Sequence, residues 1–153
     1  MNRSEIIDKL MIFFGCLIGC LIGSIIGTLL GTIIAHGYEY TPKDMVEIAR
    51  VVHQEAGNQS ELGKRLVTDT ILNRVDSEDF PNTPHEVITQ PDQYAMYKTY
   101  APEELYSIIA DEIYNQRTND QVLWFRKYRY HTYGEPIIKE GDHYFSGRID
   151  DET

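Results

Sequence analysis

Glu55 stands at the end of an apolar helical stripe, in the run His53-Gln54-Glu55-Ala56-Gly57-Asn58-Gln59. At about 100° per residue, Met45, Ile48, Ala49, Val52 and Ala56 fall on one helix face, and Glu55 lies on its flank near Ile48. Gly57 then marks the helix stop. A carboxyl group placed there is partly withdrawn from water and sits beside the partial negative charge of the helix end, and both conditions disfavour its charged form. Such an acid can hand a proton to a leaving group. A solvated glutamate with no chemical task fits the same wheel. A second chemistry, metal-dependent hydrolysis, is open to His53, Glu55, His131 and His143, because histidine and carboxylate are common zinc ligands. Neither Cys-x-x-Cys nor His-Glu-x-x-His accompanies them, and the reading calls for no metal or other cofactor.

The elements that must position these groups are legible in outline. Thr41-Pro42-Lys43-Asp44 predicts a helix start, with Thr at the cap, Pro in the first position and an acid in the third, and that helix runs to Ala56. From Ser60 to Val75, apolar residues recur at Leu62, Leu66, Val67, Ile71 and Val75, the spacing of a helix forming one wall of a core. Thr83-Pro84-His85-Glu86 repeats the capping arrangement for a short helix, and Pro102 opens a fourth with Leu105, Ile108, Ile109 and Ile113 on its apolar face. After Asn119 the texture turns strand-like over Val122 to Tyr130, Ile137-Ile138 and His143-Tyr144-Phe145, with Gly141-Asp142 as the turn joining the last two.

A longer pattern runs through these elements. It takes in Glu55 to Gly63, Leu72-Asn73-Arg74-Val75, Ser77, Phe80-Pro81-Asn82-Thr83, Val87-Ile88 and Gln90-Pro91, then Leu123-Trp124-Phe125 and Gly141-Asp142-His143-Tyr144-Phe145-Ser146. From about Asp44 to Ser146 the chain resembles the catalytic domain of the spore cortex-lytic, SleB-type cell wall hydrolase family. It departs from that family where Glu-Ala-Arg-Gly-Glu becomes Glu55-Ala56-Gly57-Asn58-Gln59, so that Gln59 replaces a second acid. The resemblance implies an α+β fold: a mainly helical, lysozyme-like or lytic transglycosylase-like domain with a small C-terminal antiparallel β region. It also implies cleavage of peptidoglycan, with Glu55 matching the family's catalytic glutamate.

Cutting an acetal needs an acid to protonate the departing oxygen, and hydrolysis ordinarily needs a second carboxylate. The resemblance implies a route with one: the glutamate acts as acid and then as base, the 6-hydroxyl of muramic acid attacks, and a 1,6-anhydro end forms. For substrate binding, Gln93 and Tyr94 fall where the family places a Gln-aromatic pair, which suits a sugar's polar edge and flat face. Gln59 fits a hydrogen bond to an acetamido group, or to backbone at a helix start. Trp124 fits sugar stacking or the core equally, and His143 fits a cleft role or a structural hydrogen bond. Asn73 and Arg74 are expected to tie the second helix to its neighbours.

The 153 residues supply one small domain and something else. Leu10 to Ala35 carries no charge over 26 residues, more than the roughly 20 needed to cross a bilayer core of about 30 Å. The expected organisation is a tail over 1–9, a transmembrane anchor over 10–35, a linker over 36–43, a wall hydrolase domain over 44–148 and an acidic tail over 149–153. Cleavage after Ala35 and lipidation at Cys20, in Leu17-Ile18-Gly19-Cys20, are the competing readings of the segment. Gly15, Gly19, Gly23, Gly27 and Gly31 form a small-residue stripe that predicts pairing of anchors in a homo-oligomer. Arg3 and Lys9 precede the segment and no Lys or Arg follows until Lys43, which places the N-terminus in the cytoplasm and the domain outside, anchored in the cell membrane.

From His36 onward there are 22 acids and 12 basic residues. That balance repels nucleic acid. The one basic, aromatic run, Arg126-Lys127-Tyr128-Arg129-Tyr130, reads as a strand with a solvated face, or as a contact for an anionic wall polymer. Peptidoglycan glycan strands are the expected partner. A non-catalytic, membrane-tethered wall-binding module is the alternative, and spore cortex, a vegetative wall and a host wall attacked by a phage all fit as substrate.

Overall fold

The computed structural model describes residues 37–95 and 99–149, and from Tyr38 onward they belong to one unit. The readings made for residues 10–35, including the anchor, Cys20 and the glycine stripe, and those for the tail beyond Ile149, lie outside the described residues. Among the described residues no helix is long and apolar enough to cross a membrane. In chain order the elements are α1 (Pro42–Ala56), α2 (Glu61–Asp76), α3 (Pro84–Ile88), α4 (Glu103–Tyr114), β1 (Val122–Lys127), β2 (Glu135–Glu140) and β3 (His143–Gly147).

Helix α1 starts as its capping residues dictate. The Thr41 hydroxyl accepts from the Asp44 N–H, and Asp44 Oδ2 accepts from the Thr41 N–H at 2.8 Å, so two otherwise orphaned donors are satisfied. Its buried residues include Ile48, Ala49, Val52 and Ala56, with Val51 added, while Met45 packs at the margin. Helix α2 differs from the expected wall. It is covered by α1, α3, α4 and β1 and buries an almost unbroken run from Leu66 to Val75, while Leu62, placed by periodicity in the core, is 37% exposed. A helix enclosed on every side must find internal partners for its polar residues. Thr68 and Thr70 therefore donate back to Lys64 and Leu66 carbonyls, and Asn73 and Arg74 donate to the carbonyls of Val122 and Leu123, fastening β1 to the helix.

The antiparallel sheet has the order β1-β3-β2, so the last strand slots between the first two. Phe145, at the centre of β3, pairs with Phe125 on one side and Ile138 on the other and is fully buried. Strand β1 stops at Lys127, short of the expected Tyr130, because Tyr128 adopts φ 76°, outside the extended region. Gly141 makes the β2–β3 turn at φ 52° directly against the Gln59 amide, where a side chain would collide with Gln59 Oε1.

One polar cluster inside the helical layer was invisible to periodicity. Asp69 and Glu112 are 0% and 1% exposed. Glu112 accepts from Arg65 Nη1 at 2.7 Å and from Thr118 N at 2.7 Å, and Asp69 accepts from Asn119 N at 2.8 Å. Burial, reinforced by the neighbouring Glu112, pushes the Asp69 carboxyl up to about 8. Burial opposes the Glu112 charge too, but hydrogen bonds from Arg65, Asp69 and Thr118 outweigh it and hold that carboxyl below its ordinary value.

Candidate active site

Glu55 lies in the last turn of α1, half-buried, before the chain turns at Gly57 into the loop that leads to α2. Its Oε1 accepts a hydrogen bond from the backbone N–H of Ala95 at 2.9 Å. That contact crosses 40 residues of chain and fixes the carboxyl group against the segment after α3. Among the described residues Oε2 has no hydrogen-bond partner. The side chain opens into a cavity of about 410 Å³ lined by His53, Gln54, Gly57, Asn58 and Lys127 besides Glu55 itself. No second carboxylate is among those lining residues.

An aromatic layer continues from this cavity into the sheet. Tyr94, next to Ala95, packs its ring 6.2 Å from Phe125, whose other neighbours are His143 at 5.0 Å and Phe145 at 5.7 Å. The Tyr94 hydroxyl is buried without a partner. Burial drives that phenol up to about 12, with Arg74 pulling against the shift and Glu55 adding to it. The Arg74 guanidinium stands over Tyr94 at 5.4 Å and over Phe80 at 4.9 Å, and it donates to Gln93 Oε1 at 2.9 Å. Tyr94 is thereby held between Arg74 and the sheet.

The expected site residues separate into four groups. Glu55, Gln93 and Tyr94 are brought together by the Ala95 hydrogen bond and by Arg74. His143 is buried behind Phe125, its Nδ1 unpartnered; burial lowers its proton affinity, and Lys127, opposite it across the strands, lowers it further. Trp124 points to the other face of β1, between Phe80 at 6.1 Å and Tyr133 at 5.6 Å. Gln59 spends its amide on the protein: Nε2 donates to Asn58 Oδ1 at 2.9 Å, and Oε1 accepts from the Asp142 N–H at 3.2 Å, clasping the β2–β3 turn. Beside it Ser60 donates to Glu140 at 2.6 Å.

Sequence reasoning missed Phe125 and Lys127 as members of the site. Strand alternation could have found both, since residues 125 and 127 share a face while Trp124 takes the opposite one. His53, Glu55, His131 and His143 are not gathered as a ligand set; among the described residues no three His, Cys, Asp or Glu are placed to hold a metal ion.

A larger cavity, about 670 Å³, lies between the end of α2 and the β2–β3 edge. Of its acids, Asp76 is paired with Arg117 and Asp79 with Arg148, each at 2.7 Å. Its carboxylates are exposed or neutralised and none is fixed by a backbone donor as Glu55 is, so size alone does not make it the reactive site.

Two solved structures resemble the domain. The catalytic domain of the Bacillus cereus SleB protein superposes with a TM-score of 0.64 at 26% identity, covering 71% of this chain and 92% of that one. The catalytic domain of the germination-specific lytic transglycosylase SleB from Bacillus anthracis gives 0.62 at 26% identity, covering 70% and 96%. No curated protein sequence matches the chain. The sequence profile of the cell wall hydrolase family matches residues 58–146, beginning just past Glu55 and ending at the close of β3. The chain, with its mixed helical domain and small antiparallel sheet, belongs to the cell wall hydrolase family.

Proposed function

We propose that this protein cleaves the glycan strand of peptidoglycan as a lytic transglycosylase, with Glu55 as its only catalytic acid and base. The observation that carries the reading is a single, oriented carboxyl group, one oxygen fixed by Ala95 N, in a cavity that no second carboxylate lines among the described residues. Hydrolysis by inversion or retention needs two. With one, Glu55 donates its proton to the glycosidic oxygen as the bond from the muramic acid anomeric carbon breaks. The carboxylate left behind then takes the proton of the 6-hydroxyl as that oxygen attacks the anomeric carbon, and the acid is restored. The lysozyme-like character of the helical layer belongs to the same reading.

Replacing Glu55 by Gln keeps the shape and removes the proton. Loss of solubilisation of purified peptidoglycan, with co-sedimentation retained, supports the enzyme; unchanged solubilisation overturns it.

Residues 10–35 anchor the protein in the cell membrane with the domain outside, and the five-glycine stripe pairs copies of the anchor. The support is 26 uncharged residues flanked by Arg3 and Lys9. Recovery of full-length protein in the membrane fraction, with the domain open to protease in intact protoplasts, is expected; recovery in the soluble fraction contradicts the anchor.

A further inference from the structure

The cations of the described residues are unevenly employed. Lys43, Lys64, Arg65, Arg117 and Arg148 each lie within 4.0 Å of a carboxylate, and Arg74 is buried in its bonds to Leu123 and Gln93. Arg50, Arg126, Lys127, Arg129 and Lys139 make no ion pair among the described residues. Four of these five lie between 126 and 139, a stretch whose only acid is Glu135. In a chain of net charge −10, cations with no carboxylate partner among the described residues are open to an external anion.

Their placement names the anion. Arg126 and Lys139 flank Tyr144 in one cross-strand row, with Lys139 Nζ 5.5 Å from the ring. Lys127, next along β1, lines the Glu55 cavity, and beyond it Tyr128 turns the chain at φ 76°, 88% exposed, so that Arg129 follows on the surface. Lys127 thus stands in the cavity of the catalytic acid with Arg129 on the surface beyond it, while Arg126 and Lys139 lie with Tyr144 on the opposite face of the strands. On the functional reading above, the sugar cut in that cavity is muramic acid, whose lactyl group carries a peptide bearing free carboxylates. We propose that Lys127, with Arg129 beyond it, binds the carboxylates of that peptide stem and makes peptide-substituted, negatively charged glycan the preferred substrate. Both are exposed side chains whose donors suit carboxylate oxygens, and the attraction is screened by salt.

The test uses the full-length chain in detergent and two forms of one peptidoglycan, native and carbodiimide-amidated, which differ only in stem charge. The expected result is a native-to-amidated kcat/KM ratio of roughly 3 to 10 that falls toward one in Lys127→Gln and Arg129→Gln and shrinks as salt is raised. Cleavage of both forms at equal rate by the wild type, or a ratio unmoved by both variants, overturns the proposal and leaves the transglycosylase reading intact. Co-sedimentation of Glu55→Gln with the two forms reads the same preference without turnover. If no cleavage occurs but native wall is still bound more tightly, and Lys127→Gln removes that difference, the charge preference stands and the enzyme reading falls.

Discussion

Glu55 and Asp69 are carboxyl groups on consecutive helices, and their surroundings differ in almost every respect. Asp69 is fully enclosed, coupled to Glu112, and bound into a network with Arg65, Thr118 and Asn119. Glu55 has, among the described residues, one backbone donor, one oxygen without a partner and a cavity that it lines. The acid whose carboxyl burial pushes up is therefore one that no substrate can reach. Perturbation marks enclosed structural networks as readily as reactive groups, and access together with orientation distinguishes Glu55.

The sharpest way to break this contrast is to remove each acid in turn. Glu55→Gln should lower turnover on peptidoglycan by about 10² to 10⁴ while leaving the unfolding midpoint nearly unchanged; a large loss of stability would place Glu55 with the structural acids. Glu112→Ala should do the reverse. It removes the hydrogen bonds that the buried carboxylate accepts from Arg65 and Thr118, while Arg65 keeps Glu61 and Asp111, at a cost of about 2 to 3 kcal/mol in urea unfolding.

The pH dependence of stability sharpens the comparison further. Because the folded value of Asp69 is raised to about 8 from 3.8, its contribution is fully present below the unfolded value and is lost as pH rises through the folded one. Glu112, held low, contributes above its unfolded value and loses that contribution as pH falls. The domain should thus be most stable in mildly acidic solution and weaken as pH rises toward about 8, and Asp69→Asn should flatten that decline. A decline of the same slope in Asp69→Asn would show that another group causes it. The smallest effect is expected at Gln59→Ala, about 1 kcal/mol or less, with faster amide exchange at Asp142, whose N–H Gln59 accepts. Unaltered exchange there would contradict the clasp.

What the sequence revealed and concealed follows from the range of each interaction. The cap of α1, its apolar face and the position of Glu55 on its flank are local, and all are found as read. So is the tie from Asn73 and Arg74 to the neighbouring strand. Helix α2 misleads because a helix surrounded on all sides loses the polar face that periodicity detects. The insertion of β3 between β1 and β2, the Ala95 donor to Glu55 and the meeting of Asp69 with Glu112 are long-range pairings that no spacing encodes. Gln59 shows the same limit: its position beside Glu55 suggests the substrate, whereas its partners are Asn58 and the distant turn at Asp142.

The central claim, one carboxyl acting as acid and then base, is tested most directly by mass spectrometry of the fragments released from purified peptidoglycan by the full-length chain in heavy-oxygen water. The account predicts 1,6-anhydro-muramic ends without the label, disappearing in Glu55→Gln. Labelled reducing ends would mean that water attacks, contradicting the single-carboxylate mechanism.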